Sequence, residues 1–381
     1  SVALWVAHET DANLLAHGAF DSYAKQAMAW RDGRIALDQD YPWLELAIYE
    51  GDYYVSFPPV PAIPMWLLSF FFGEETPSGL MTLLYFLGAF VAMYYLSRRY
   101  LPAVQAAVCA GFAVLGGSAL DLAVSGGGFS GGVWFQAQLL GMLFTALAFL
   151  LVDGKKRMGW AFGLIFIALA VGCRPFNAVY VPVLLWMLYG KVTHGTIWRS
   201  LLAMLPFVIV PARIACAYGT YNYLRFDNPL EFGHAYLPEL AQAREPMFLP
   251  SKIWGNLRNI FRPMSITNGA LMFPVVSGFA VYLTNPLLFM SAERSIEAGI
   301  RRKGDSITII LGISLLLHAA LLLMHRTNGG WQYGTRYLCD LLPALLFLFV
   351  RSKQKLRSVE AVLMGVLVPI NVYGTIVFHF L

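Results

Sequence analysis

One carboxylate is set apart by its position. Asp21, in HGAFDSYAKQ, lies a short way beyond the apolar start VALWVA, which reads as the tail of a membrane span whose beginning lies before Ser1. A carboxylate tethered that close to the interface can take a proton from an incoming hydroxyl group. The plainer reading is an exposed helix-face aspartate paired with Lys25 four residues on. The cations expected on the same face of the membrane are Arg174, Arg225, Arg244, Lys252, Arg258, Arg262, Arg326 and Arg336, with Arg213 near the end of a span. Cations at that depth suit a lipid phosphate, although long cationic side chains at helix ends commonly reach out to headgroups. Arg336 differs from the rest because glycines and aromatic residues surround it at the mouth of a span, in GGWQYGTRYLCDLLP.

Weaker candidates surround these. GGGFSGG at 126–132 precedes a span, so its free backbone N–H groups could hold an anion, against the simpler reading of a flexible connection. Asp121 and Asp340 lie near helix ends and could pair with arginines. His17, His234 and His325 are candidate metal ligands or acceptor contacts, and Tyr53, Tyr54 and Tyr333 are candidate substrate contacts, all without motif-level spacing. Cys109, Cys173, Cys216 and Cys339 lack any CxxC spacing and read as small core residues. The chain carries no Walker loop, dinucleotide fingerprint, HExxH or GxSxG, so an ATP pump or a hydrolase has no positive support.

The elements that must position these groups follow from composition. The 381 residues are 58% hydrophobic and 13% charged, with a net charge of +5, and the mean hydropathy is +0.60. A soluble chain is about one quarter charged, so the composition excludes a disordered protein, a disulfide scaffold and an ordinary soluble enzyme, and indicates an all-α polytopic membrane protein. The charges fall in short clusters between apolar runs, which leaves no nucleic-acid patch. Apolar runs at 78–97, 103–123, 132–152, 158–173, 176–190, 200–218, 268–290, 306–324, 337–350 and 359–381 predict about ten spans, or eleven with the preceding one.

Five regions result: residues 1–57, the tail of a preceding span and a first loop; 58–75, an interfacial or re-entrant helix opened by prolines; 76–218, spans; 219–267, a second large loop; and 268–381, the last spans. Within the first loop, Phe20, Tyr23, Ala27 and Trp30 near helical spacing predict an amphipathic helix on the bilayer surface, against packing on the bundle. Arg98, Arg99, Lys155, Lys156, Arg157, Lys191, Arg199, Arg294, Arg301, Arg302, Lys303, Arg351, Lys353, Lys355 and Arg357 share one side, which is therefore cytoplasmic. The long loops then face outward, where nucleotide sugars are not supplied, so an activated substrate most simply arrives within the bilayer. Residues 158–190, broken at Arg174-Pro175, give two helices of about 16 residues, each roughly 24 Å against a core near 30 Å. That shortfall places Arg174 in an outward-opening cavity.

Several stretches carry a family resemblance. FDSYAKQAMAWRDGRIALD, YEGDYYVSFPPVPAIPMWLLSFFFG and a span ending in LSRRYLP resemble the first outer loop and second span of GT-C glycosyltransferases, among them protein O-mannosyltransferases and lipid A aminoarabinose transferases. YNYLRFDNPLEFGHAYLPE and GGWQYGTRYLCDLLPALL resemble bacterial members of the same superfamily. The resemblance implies a GT-C-like bundle in a bacterial plasma membrane, a polyprenyl-phosphate sugar donor, a lipid, glycan or protein acceptor, and inverting transfer at the outer face. Asp21 falls at the family's base position. Two departures matter: Asp21-Ser22 stands where relatives often have an acidic pair, which leaves a divalent metal open, and Phe57 stands where some have lysine, which shifts phosphate binding to the arginines.

One carboxylate suffices for such chemistry. A glycosidase needs two because an alkoxide must be protonated as it leaves, whereas a phosphate leaves unaided and asks mainly for positive charge. Arg336, with Arg174 or Arg262, is the expected phosphate group. The alternatives are a polysaccharide polymerase or ligase using lipid-pyrophosphate-linked sugars, and a transporter or flippase of lipid-linked substrates. The latter commonly carry internal repeats, and none is evident between the two halves of this chain.

Overall fold

The computed structural model describes residues 2–126, 128–192, 195–243, 246–267, 270–300, 305–352 and 354–380. Gly127 and five of the cations named above, Arg244, Arg301, Arg302, Lys303 and Lys353, lie outside them. The molecule is mostly helical. Its first part comprises α1 (Val2–Glu9), α2 (Ser22–Arg31), the hairpin β1 (Leu46–Tyr49) and β2 (Asp52–Val55), and α3 (Ala62–Phe72). A bundle follows: α4 (Ser78–Ser97), α5 (Ala103–Leu115), α6 (Ala119–Val124), α7 (Val133–Asp153), α8 (Arg157–Val171), α9 (Val181–Val192) and α10 (Ile197–Phe226). The last part holds α11 (Pro238–Ala243), α12 (Lys252–Phe261), β3 (Ser265–Thr267), β4 (Ala270–Met272), α13 (Val281–Thr284), α14 (Leu287–Ile300), α15 (Ser306–Leu323), α16 (Leu342–Arg351) and α17 (Ser358–Phe378).

Among the described residues, α4, α7, α10, α15 and α17 are long and apolar enough to cross a membrane. The other apolar runs resolve into shorter pieces for local reasons. The run 103–123 breaks at Gly116-Gly117 between α5 and α6. The run 176–190 opens as a 3-10 turn, Pro175–Tyr180, before α9. The run 337–350 likewise opens as a 3-10 turn, Arg336–Leu341, before α16. The run 268–290 contains strand β4 and the four-residue α13 before α14 begins.

Burial separates helices that hydropathy treats alike. The apolar window of α7 is 72% buried and that of α10 only 17%, so α7 is the axis of the bundle and α10 faces outward. Helix α7 packs chiefly on α4 and α8, starts after Gly132 and stops before Gly154. Cys216 is exposed on α10 rather than buried with the other three cysteines.

The first loop is a packed unit. Helix α2 buries Tyr23, Ala24, Ala27 and Ala29, with Leu46, Val55 and Met65 in the same cluster. Its alanines let α3 approach closely, and α2 packs against α3 and the start of α7. The exposed apolar stripe sits instead on α3, at Ile63, Leu67, Phe70 and Phe71, a spacing that repeats with the helical turn.

Candidate functional site

A cavity of about 920 Å³ opens at one end of the bundle, between the first loop, the start of α7, the turn before α9 and the 3-10 turn before α16. Arg336 and Arg174 both line it, so the structure brings together two of the three arginines singled out in the sequence. Their guanidinium groups lie 5.4 and 5.3 Å from the Tyr337 ring. Their surroundings differ. Arg174 Nε donates to Asp340 Oδ2 at 2.9 Å, which neutralises it. Arg336 makes no ion pair among the described residues, is only 7% exposed, and its Nε has no hydrogen-bond partner. It lies against Trp134 and Phe135 as well as Tyr337.

Backbone bonds hold Arg336 in place. Its N–H donates to Gln332 Oε1 at 2.8 Å, and its carbonyl accepts from Gln138 Nε2 at 3.1 Å. Thr335 N–H donates to Ser118 Oγ at 3.1 Å. A buried, unpaired guanidinium on a cavity wall is costly unless an anion occupies the cavity. Apolar side chains, among them Phe176, Leu237, Met247, Phe248 and Leu322, also line the cavity, together with Glu231 and Glu239.

His234 and His325 also line the cavity. Burial, with the Arg174 charge, pushes the imidazole of His234 down to about 4. Burial, with His234 and the two arginines, pushes His325 down to about 3. Both are therefore neutral near pH 7 and add hydrogen-bonding groups rather than charge.

The sequence reading passed over Glu45. It lies on the cavity wall, and its Oε2 accepts from the Trp134 indole N–H at 3.1 Å. Desolvation by the surrounding wall raises its carboxyl above the ordinary range, moderated by the indole N–H and by Arg336. A glutamate in a loop carries no sequence signal until the β1–β2 hairpin turns it toward α7.

Asp21 lies elsewhere. It caps α2, accepting from Ala24 N–H at 3.2 Å and from Gln136 Nε2 at 2.8 Å, and is 1% exposed. Trp134 and Gln138 face the cavity, whereas Gln136 is rotated about 200° from each around α7. Asp21 is thus on the other side of the first turns of that helix and does not line the cavity. Among the described residues its Oδ2 has no hydrogen-bond partner, and His17 Nδ1, 3.8 Å away, has none either. Burial pushes the Asp21 carboxyl up to about 6 against the lowering effects of His17, Gln136 and the Ala24 N–H. Lys25 pairs with Glu74 at 2.5 Å rather than with Asp21, which removes the plainer helix-face reading.

The remaining candidates serve the framework. Arg262 donates to the carbonyls of Val276 and Gly278, tying α12 to the following loop. Arg225 is buried and bonded to Val55 O at 2.8 Å, joining α10 to β2. The Tyr54 ring packs on Phe226, and Tyr53 accepts Leu37 N–H through its carbonyl at 2.8 Å. Tyr333 is buried, with its hydroxyl 3.2 Å from Asn371 Oδ1. Asp121 pairs with His379 at 2.8 Å. Among its described residues the glycine segment uses its own N–H groups: Phe129, Gly132 and Val133 donate to the carbonyls of Gly126, Phe129 and Phe20. It is a packed seam, because a Cβ on Gly126 would fall 1.9 Å from Thr10 O. No group of three His, Cys, Asp or Glu side chains suited to a metal occurs among the described residues.

Compared with known proteins, the chain matches no family model and no curated protein.

Proposed function

We propose that the chain is an integral membrane glycosyltransferase of the GT-C type, moving a sugar from a polyprenyl-phosphate donor to an acceptor. The observation that carries this reading is Arg336: a buried guanidinium that makes no ion pair among the described residues, on the wall of a cavity that apolar side chains also line. Such a site suits an anion attached to a hydrocarbon chain. A phosphate leaving group needs positive charge where its own charge grows, and a preorganised guanidinium supplies it. Arg174 contributes less net charge, because Asp340 matches it. That balance favours a monophosphate over a pyrophosphate, and so a transferase over a polymerase or ligase.

In this reading Asp21 is the base that takes the acceptor's proton as the sugar carbon is attacked and inverted. Its raised carboxyl, and an Oδ2 that makes no hydrogen bond among the described residues, suit that role. The acceptor must then reach it past the first turn of α7. The shorter apolar helices complete the crossings, for about ten spans in a bacterial plasma membrane. The basic connections lie in the cytoplasm and the cavity opens outward.

Reconstitution in liposomes with polyprenyl-phosphate hexoses tests the proposal. Wild type should release polyprenyl phosphate as sugar is transferred, and Asp21→Asn should lower turnover about 10²- to 10⁴-fold. Asparagine caps helices as well as aspartate, so the fold should persist. Undiminished turnover in Asp21→Asn would remove the base assignment, and absence of transfer by wild type with every donor would remove the activity.

A further inference from the structure

Glu45, Glu231 and Glu239 line the cavity; Glu45 shares the Trp134 indole with Arg336, and a site built for phosphate alone has no use for a carboxylate there. Glu45 and Arg336 lie against the same indole: Trp134 Nε1 donates to Glu45 Oε2 at 3.1 Å, and the Arg336 guanidinium lies 5.8 Å from the Trp134 ring centroid. Yet no ion pair joins them among the described residues. Glu45 Oε1 makes no hydrogen bond there, and the side chain is exposed on the cavity wall.

Three elements fix this arrangement. Leu46 pairs with Val55 across the β1–β2 hairpin, and at its open end Ser56 Oγ donates to the Glu45 carbonyl at 2.8 Å. Trp134 stands in the first turn of α7, and Arg336 opens the 3-10 turn before α16. A carboxylate held here repels a phosphate bound at Arg336, so its presence lowers affinity for a bare lipid phosphate. It is useful only to a ligand that carries hydrogen-bond donors next to that phosphate.

Resting on the transferase reading above, we infer that Glu45 is a specificity-determining residue: its free oxygen accepts a hydrogen bond from a ring hydroxyl of the donor sugar while Arg336 holds the phosphate. The Trp134 indole touches both groups. A sugar whose phosphate sits on Arg336 lies across Trp134, and the hydroxyl on the carbon next to the phosphate-bearing one reaches Glu45. The site therefore selects the charged lipid that still carries its sugar over the spent lipid phosphate, which favours product release after transfer.

Binding measurements on the purified full chain in nanodiscs test this, with bare polyprenyl phosphate and polyprenyl-phosphate glucose, mannose and galactose as probes. Wild type should prefer at least one sugar-bearing lipid to the bare one by about tenfold or more. Glu45→Ala should abolish that preference and bind bare polyprenyl phosphate more tightly than wild type does. Glu45→Gln, which can still accept through its amide oxygen, should keep part of the preference. Trp134→Phe, which removes the N–H that orients Glu45, should weaken the preference without touching the carboxylate. An equal preference in wild type and Glu45→Ala, or no preference in wild type for any of the three sugars, would overturn the inference. Bare polyprenyl phosphate binding equally well to wild type and Arg336→Ala would instead remove the transferase reading beneath it.

Discussion

Arg174 is joined to Asp340 at 2.9 Å, whereas Arg336, four residues before Asp340 on the same turn and also on the cavity wall, makes no ion pair among the described residues. Gln138 binds both ends of the turn, through the carbonyl of Arg336 and the carboxylate of Asp340. The arrangement divides labour between two cations that look equivalent in the sequence. Arg174 has a partner that holds it in place, and Arg336 makes no ion pair among the described residues.

The pairing predicts an asymmetry between substitutions. Asp340→Ala leaves Arg174 half-enclosed without a counterion and should destabilise the protein by about 3 kcal/mol. Arg174→Ala/Asp340→Ala should recover part of that loss, since neither charge is then left alone. Thermal unfolding midpoints of the single and double variants in detergent check this. A double variant no more stable than Asp340→Ala would mean that the two residues act independently.

Asp21 predicts a pH dependence of stability with a definite sign. Its carboxyl titrates near 3.8 when unfolded and about 6 in the native protein. Between those values the native state binds a proton that the unfolded state has released, so the contribution of Asp21 to stability falls as pH rises from about 4 to 6. The loss is at most about 3 kcal/mol. Unfolding midpoints of Asp21→Asn measured from pH 4 to 7 should lack this component, and the variant should gain on wild type as pH rises. If Asp21 is the base, kcat/KM of wild type should rise through the same interval, because only the ionised form accepts a proton. Parallel stability profiles for wild type and variant would contradict the raised value.

The glycine segment before α7 gives a third expectation. Gly126→Ala puts a methyl group against Thr10 O and should cost about 2 kcal/mol or more through displacement of the seam. Gly128→Ala meets no atom within 4 Å, and its φ of +85° makes the cost one of backbone strain alone, about 1 kcal/mol. Comparing the unfolding midpoints of the two variants separates a packed seam from a flexible connection. Equal and negligible effects would restore the flexible reading.

How much of this was legible in the sequence depends on which physical signal each feature leaves. The helical membrane class follows from the apolar runs, and five of those runs correspond to helices of spanning length. Their division was less legible, because hydropathy records burial but not whether lipid or protein does the burying. Helix α16 is apolar and fully packed by protein from Leu342 to Val350. Arg336 was legible because glycines and rings around a cation are unusual in an apolar chain. Arg174 was placed by helix-length arithmetic, and it does line the cavity. Arg262 has the same side chain, yet it bonds to its own following loop, and Tyr333, from the same segment as Arg336, bonds to a neighbouring helix. Only tertiary contacts distinguish such cases. Glu45 was invisible for the complementary reason: its setting is created by a hairpin and by a tryptophan 89 residues away.

The most direct test of the central claim is mass spectrometry of lipids that co-purify with wild type and with Arg336→Ala. The account predicts a polyprenyl phosphate, with or without its sugar, retained by wild type and depleted at least tenfold in the variant, while bulk phospholipid is unchanged. Arg262→Ala, which alters a cation bonded to its own loop, should retain the lipid as wild type does. The same bulk phospholipids in wild type and Arg336→Ala, with no polyprenyl phosphate in either, would contradict the assignment of Arg336 as the phosphate-binding group.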